Sequence, residues 1–249
     1  MRLSRILISQ VRCFNSTNTY LKISTNNLKT KNKGVSSNHW LSRQLSDPYV
    51  EKAKLMNYRC RSAFKLLEID EKHHILKPGF IVIDCGASPG SWTQIAVKKV
   101  NADGSDNNSV KGKVISIDRQ LLYPIEGAII LGNTDFTEAS SQDKVAKELG
   151  GAKVDCVLSD MAPNATGIPD LDHENIIKLC YSVLKFALKH SNVGGSVLVK
   201  LWQCGDTKQL ISDMEKFYRS VKSIKPKSSR SDSAEIFLLG REFKGLKVT

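Results

Sequence analysis

An apolar run that ends in an acid and turns at once through glycines into a second apolar stretch leaves a chain few ways to fold. Phe80-Ile-Val-Ile-Asp84-Cys-Gly86-Ala-Ser-Pro89-Gly90-Ser-Trp92 is such a segment. The run before Asp84 is short and β-branched, which fits a buried strand. Gly86 and Gly90 then permit a tight turn into a helix, where backbone N–H groups can come close to a ligand.

The rest of the chain repeats the alternation. Residues 47–67 predict a helix with Cys60, Ala63, Phe64 and Leu67 on one face. Strands are expected at 80–84, 113–118, 128–131, 154–160 and 196–202, with two more near 223 and at 234–240. Helices are expected at 92–100, up to Leu149, from an Asp172 cap to a stop at Gly194-Gly195, and at 208–219. The polar stretch 101–111 reads as a surface loop. Strand and helix alternating in this way predict an α/β fold with a mostly parallel sheet covered on both faces.

With 249 residues, 41% of them apolar, the chain can bury one good core. The six cysteines form no C-x-x-C pair and the five histidines have no ligand spacing, so no metal site is expected. Eight of the 37 Lys/Arg and none of the 25 Asp/Glu fall in residues 1–46, so this stretch carries eight of the twelve net positive charges. Its first segment is Arg- and Ser-containing, acid-free and amphipathic, the composition of a mitochondrial transit peptide. A disordered RNA-binding arm has the same composition. Residues 1–37 are therefore expected to be a transit peptide and linker, and 38–249 a single domain. No apolar stretch there is long enough for a membrane span.

In an open parallel sheet, ligands bind at the rim formed by the carboxyl ends of the strands. Asp84, Asp118, Asp135, Asp160 and Lys200 all fall at or just past the ends of expected strands. Singly, each is an ordinary turn or cap residue; together with a glycine turn they mark a site. Gly86 and Gly90 are four apart with Pro89 between them, unlike the G-x-G-x-x-G of a dinucleotide site. That spacing favours a nucleoside without a pyrophosphate. Asp118 stands where an acid can accept hydrogen bonds from ribose hydroxyls, and Asp135-Phe136 offers a carboxylate and an aromatic surface to an adenine. S-adenosylmethionine fits that description.

Three segments, Gly86-Ala-Ser-Pro-Gly-Ser-Trp92, Leu158-Ser-Asp-Met-Ala-Pro-Asn-Ala-Thr-Gly167 and Tyr58-Arg-Cys-Arg-Ser-Ala-Phe-Lys65-Leu, resemble in order the motifs of the FtsJ (RrmJ) family of ribosomal RNA 2′-O-ribose methyltransferases. The resemblance runs from about Trp40 to Glu242. It implies a Rossmann-like methyltransferase fold of seven strands with the last antiparallel, S-adenosylmethionine as cofactor, and a catalytic tetrad of Lys65, Asp160, Lys200 and Glu235. It further implies cofactor contacts from the turn (Gly86, Ser88, Pro89, Gly90, Ser91, Trp92) and from Asp118, Asp135, Phe136 and Asp160. Arg119 stands where the family usually has an apolar residue.

Since a lysine is ordinarily protonated at neutral pH, a lysine base needs burial or a neighbouring cation. Lys200 is the candidate base or hydroxyl-polarising group, Lys65 orients the ribose, Asp160 steers Lys200, and Glu235 holds the lysines. Lys52, Lys54, Arg59 and Arg61, with the Lys225–Arg230 loop, are expected to meet RNA phosphates. Combined with the leader, the resemblance points to a uridine in the A-loop of large-subunit mitochondrial rRNA, in a pre-ribosomal particle of the mitochondrial matrix, and to a monomeric enzyme. Three alternatives stay open: a tRNA or mRNA-cap 2′-O-methyltransferase, an rRNA-binding assembly factor whose catalysis is dispensable, and a Rossmann dehydrogenase.

Overall fold

A computed structural model describes residues 46–203 and 207–246. The expected transit peptide and linker lie outside the described residues. In chain order the elements are α1 (Pro48–Leu55), α2 (Ala63–His73), β1 (Ile81–Cys85), α3 (Ser91–Val100), β2 (Lys113–Ile117), β3 (Ala128–Leu131) and α4 (Ala139–Leu149). They continue with β4 (Val154–Ser159), α5 (Pro169–His190), β5 (Ser191–Trp202), α6 (Thr207–Phe217), β6 (Tyr218–Ile224) and β7 (Glu235–Phe243).

The strands form one sheet in the order β3-β2-β1-β4-β5-β7-β6. β7 runs antiparallel to both its neighbours, β5 and β6, and the remaining pairings are parallel. The order departs in opposite directions from β1 and β4, and a crevice opens where it does.

Side chains alternate between the faces of a strand, and two apolar layers follow. Val82, Val114, Leu158, Leu198 and Phe237 pack under α2 and α3. Ile83, Ile115, Val157, Val197 and Leu238 pack under α4, α5 and α6. By the same alternation Asp84, Asp160, Lys200 and Glu235 belong to the α2/α3 face. The register sharpens this. Ser159 is level with Val199 across β4 and β5, so Asp160 and Lys200 follow side by side. Across the antiparallel pair, Lys200 is level with Phe237 and Trp202 with Glu235. The first residue of β7 therefore reaches the rim at which the parallel strands end.

Several expected boundaries differ, most of all in the helices. The helix expected over 47–67 is two helices, because the chain turns at Met56, Asn57 takes a left-handed φ of 56°, and α2 runs on to His73. Cys60 lies in that turn and not on a helix face. Asp172 is not the cap of α5, which starts at Pro169; from the first turn its carboxylate accepts hydrogen bonds from Thr166 and Gly167. That helix ends at His190, ahead of Gly194-Gly195, where the chain has already entered β5 with a register shift against β4.

Leu198 is fully buried in mid-sheet beneath α2 and α3. Leu198→Ala should lower the free energy of urea unfolding by about 2–5 kcal/mol, the cost of lost burial plus an unfilled cavity.

Candidate functional site

Two lysines and two carboxylates meet above the rim as two ion pairs. Lys65, in the first turn of α2, places Nζ 2.7 Å from both carboxylate oxygens of Glu235, 170 residues away. Ser229 Oγ donates to Oε1 of the same carboxylate at 2.9 Å. Lys200 Nζ lies 2.9 Å from Asp160 Oδ1 and also donates to the Asp160 carbonyl. Lys65 further sits 5.7 Å from the ring centroid of Phe237, the residue level with Lys200. Lys65 and Glu235 are each 8% exposed. Each lysine thus has its own carboxylate: Glu235 holds Lys65 alone, while Asp160 holds Lys200 from both backbone and side chain.

Beside this row, a cavity of about 630 Å³ opens along the ends of β1, β2 and β4. Gly86, Ser88, Asp118, Asp135, Phe136 and Asp160, all singled out in the sequence, line it. Gly86 has φ +76°, and a Cβ there would come within 2.4 Å of Met161 Cγ, so the position admits no side chain. Asp118 ties the turn to the end of β2: Oδ2 accepts from the Ser88 N–H at 2.8 Å and Oδ1 from the Gln120 N–H at 2.7 Å. Hydrogen bonds from the Thr137 hydroxyl and N–H hold the Asp135 carboxyl below the usual carboxylate range. The lining also contains two cations, Arg119 and Lys178, engaged with Asn164 at 2.6 Å and with Glu174 at 2.7 Å. An apolar strip of Ile117, Phe136, Met161 and Pro163 alongside acids suits a nucleoside.

The other expected cofactor residues sit behind the cavity. Trp92 is buried in the core, its ring tilted against that of Phe237 with centroids 5.7 Å apart, and its Nε1 donates to the Ser62 carbonyl at 2.9 Å. Ser91 is buried in a cluster with Ser62 and Cys60. Pro89 and Gly90 face Arg59.

The expected RNA contacts divide. Lys52 and Lys54 are exposed, Lys52 with its ammonium 4.8 Å from the Phe64 ring centroid. Arg59 donates to three backbone carbonyls. Arg61 pairs with Asp47 at 2.7 Å and donates to the Ser228 carbonyl. Both guanidiniums are thus engaged within the chain.

Several wall residues escaped the sequence reading. Met161 to Asn164 directly follow Asp160 and could have been found by adjacency. Asn175, Lys178 and Leu179 share one helix face, a signal the apolar stripe of α5 masked.

Asp84 lies on the same face, fully buried, with Oδ2 accepting from Thr93 Oγ1 at 2.7 Å and Oδ1 lacking a hydrogen-bond partner. Burial, and then the charges of Asp160 and Asp118, push its carboxyl up to about 7. Among the described residues no group of three or more His, Cys, Asp or Glu could hold a metal ion, and no helix is long and apolar enough to cross a membrane.

A raised carboxyl has a definite sign in stability. Between the ordinary aspartate value of 3.8 and about 7, the unfolded chain has released a proton that the folded chain keeps. Stability therefore falls as pH rises through that window. Asp84→Asn, which cannot ionise, should flatten the decline; denaturant unfolding of both forms across the window measures it, and parallel curves would rule out a neutral Asp84.

The family model for FtsJ-like methyltransferases matches residues 58–243. The chain is 54% identical over 226 residues to rRNA methyltransferase 2, mitochondrial, of Drosophila melanogaster, covering 91% of this chain and 90% of that protein. It is 43% identical over 217 residues to ribosomal RNA large subunit methyltransferase E of Parvibaculum lavamentivorans, covering 86% and 85%. The crystal structure of a ribosomal RNA methyltransferase from Plasmodium falciparum superimposes with a TM-score of 0.66 at 30% identity, over 76% of this chain and all of that one. With paired lysines and carboxylates at the rim, a turn-lined cavity beside them and a match that runs from Tyr58 to Phe243, the chain belongs to the FtsJ-like methyltransferase family.

Proposed function

We propose that this protein transfers a methyl group from S-adenosylmethionine to the ribose 2′-hydroxyl of a uridine in the A-loop of mitochondrial large-subunit rRNA. The observation that carries the reading is the double ion pair, Lys65–Glu235 and Lys200–Asp160, beside the acid-lined cavity. The Drosophila relative supports the mitochondrial rRNA, and the acid-free composition of residues 1–37, amphipathic in its first segment, supports import into the matrix.

The residues that would hold the cofactor are Gly86, Ser88, Asp118, Asp135, Phe136 and Asp160, with Pro89, Gly90, Ser91 and Trp92 shaping the turn behind them. Their chemistry fits: acids for ribose and amino groups and an apolar strip for a base, while the two lining cations, Arg119 and Lys178, already bond Asn164 and Glu174. Bound there, the cofactor supplies a methyl group on a sulfonium, an electrophile that needs alignment more than activation.

Alignment falls to the protein. Lys65, fixed by Glu235 and Ser229, orients the ribose. Lys200, fixed by Asp160, would face the 2′-hydroxyl. As the ammonium of the ion pair it polarises the hydroxyl, and only after giving its own proton to solvent can it take the hydroxyl proton, the C–O bond then forming as the methyl–sulfur bond breaks. Because Asp160 lines the cavity and grips Lys200, one residue sets the spacing between donor and acceptor. Lys52 and Lys54 on α1 position RNA through its phosphates.

Two measurements test this. Ribose-methylation mapping of mitochondrial rRNA should lose one A-loop uridine when the protein is removed; an unchanged map would refute the substrate. In a purified assay, Lys200→Ala should lower turnover by about 10²–10⁴-fold while S-adenosylmethionine still binds.

A further inference from the structure

Arg59 lies in the turn between α1 and α2, yet its guanidinium works on the far side of the glycine turn. Nη1 donates to the carbonyls of Pro89 at 2.9 Å and Tyr123 at 3.0 Å, and Nη2 to that of Pro124 at 2.8 Å. The Arg59 N–H donates to Gln94 Oε1 at 2.9 Å, and Gln94 Nε2 donates in return to the Asn57 carbonyl at 2.9 Å. The arginine is therefore anchored to α3 at its backbone while its side chain holds two separate loops. Packing agrees with this. A Cβ at Gly90, where φ is +114°, would lie 2.7 Å from Arg59 Nη1 and 2.7 Å from Ile125 Cδ1, so the two loops and the arginine touch with no side chain between them.

Both loops lead into cavity wall. Ser88 precedes the Pro89 carbonyl, and Asp118 to Gln120 precede Tyr123 and Pro124; all of these wall residues line the cavity, whereas Arg59 does not. Three loop carbonyls converging on one point need several donors in a fixed fork. A guanidinium supplies them; an ammonium is a single point charge.

We infer that Arg59 is a positioning residue for the cofactor rather than an RNA contact: it fixes the separation between the glycine turn and the loop after Asp118, and with it the width of the nucleoside end of the cavity. The inference rests on the methyl-transfer reading above.

Calorimetric titration of the wild-type protein, Arg59→Ala and Arg59→Lys with S-adenosylmethionine tests it, alongside RNA binding over a salt series with an A-loop fragment of large-subunit rRNA. Loss of the fork should raise the Kd and KM for the cofactor by about tenfold or more, with kcat at saturating cofactor near the wild-type value. Lysine should not rescue, and the affinity for RNA and its salt slope should stay as they are. Unchanged cofactor binding with weaker RNA binding and a salt slope reduced by about one would make Arg59 a phosphate ligand and overturn the inference. So would a parallel fall in kcat and thermal stability with no change in KM. Should Arg59→Ala fail to fold, Arg59→Lys carries the same comparison. A wild-type protein that binds no S-adenosylmethionine refutes the functional reading itself, whereas equal binding by all three forms refutes only the role of Arg59.

Discussion

Two ammonium groups withdrawn from water above the same sheet rim are tolerable only if each meets a carboxylate, and this requirement organises the site. For the buried pair Lys65–Glu235, removing one partner typically costs about 3–5 kcal/mol, because the other charge is left stranded. The partners come from four elements: Lys65 from α2, Asp160 from the end of β4, Lys200 from β5 and Glu235 from β7. The reversal of β7 is what allows the last of these. A parallel strand would carry its first residue to the opposite edge, whereas the antiparallel register sets Glu235 level with Trp202, beyond Lys200.

The strands were legible because a buried parallel strand is a continuous apolar run with nothing to disguise it. β3 coincides with the expected range, β2 and β4 each stop one residue short of it, and β1 is shifted by one residue at both ends. The helices were read less well where local backbone geometry overrides periodicity. Cys60 has the spacing of a helix face, but the left-handed Asn57 ends α1 first and turns Cys60 toward Ser62 and Ser91. Gly194-Gly195 looks like a helix stop, yet α5 ends four residues earlier and the glycines lie inside β5.

The site divides along a similar line. Charged residues at strand ends were visible in the sequence, since the fold class alone says that such ends converge, and the convergence of Asp160 with Lys200 follows from register. The arginines were not. Arg59 and Arg61 were expected to face RNA because they are basic and near the surface. Their acceptors include the carbonyls of Pro89, Tyr123, Pro124 and Ser228, backbone groups that every residue possesses and no sequence pattern announces. Trp92 does not line the cavity: the family motif marks the turn as a unit, but only its first half reaches the cavity, and the indole continues into the core against Phe237.

The charges are also sorted in space. Asp118, Asp135 and Asp160 line the cavity with Asp84 buried on the same sheet face as Asp160, while Lys52 and Lys54 stand exposed on α1. Three acids against two cations, Arg119 and Lys178, in the lining favour a cationic ligand such as the proposed cofactor over the phosphates of a polyanion. Too many ionised carboxylates would, however, repel one another, and here Asp84, whose Oδ1 has no hydrogen-bond partner, matters: held protonated up to about pH 7 by its burial, it keeps a fourth negative charge away from Asp160 and Asp118 as that pH is approached from below.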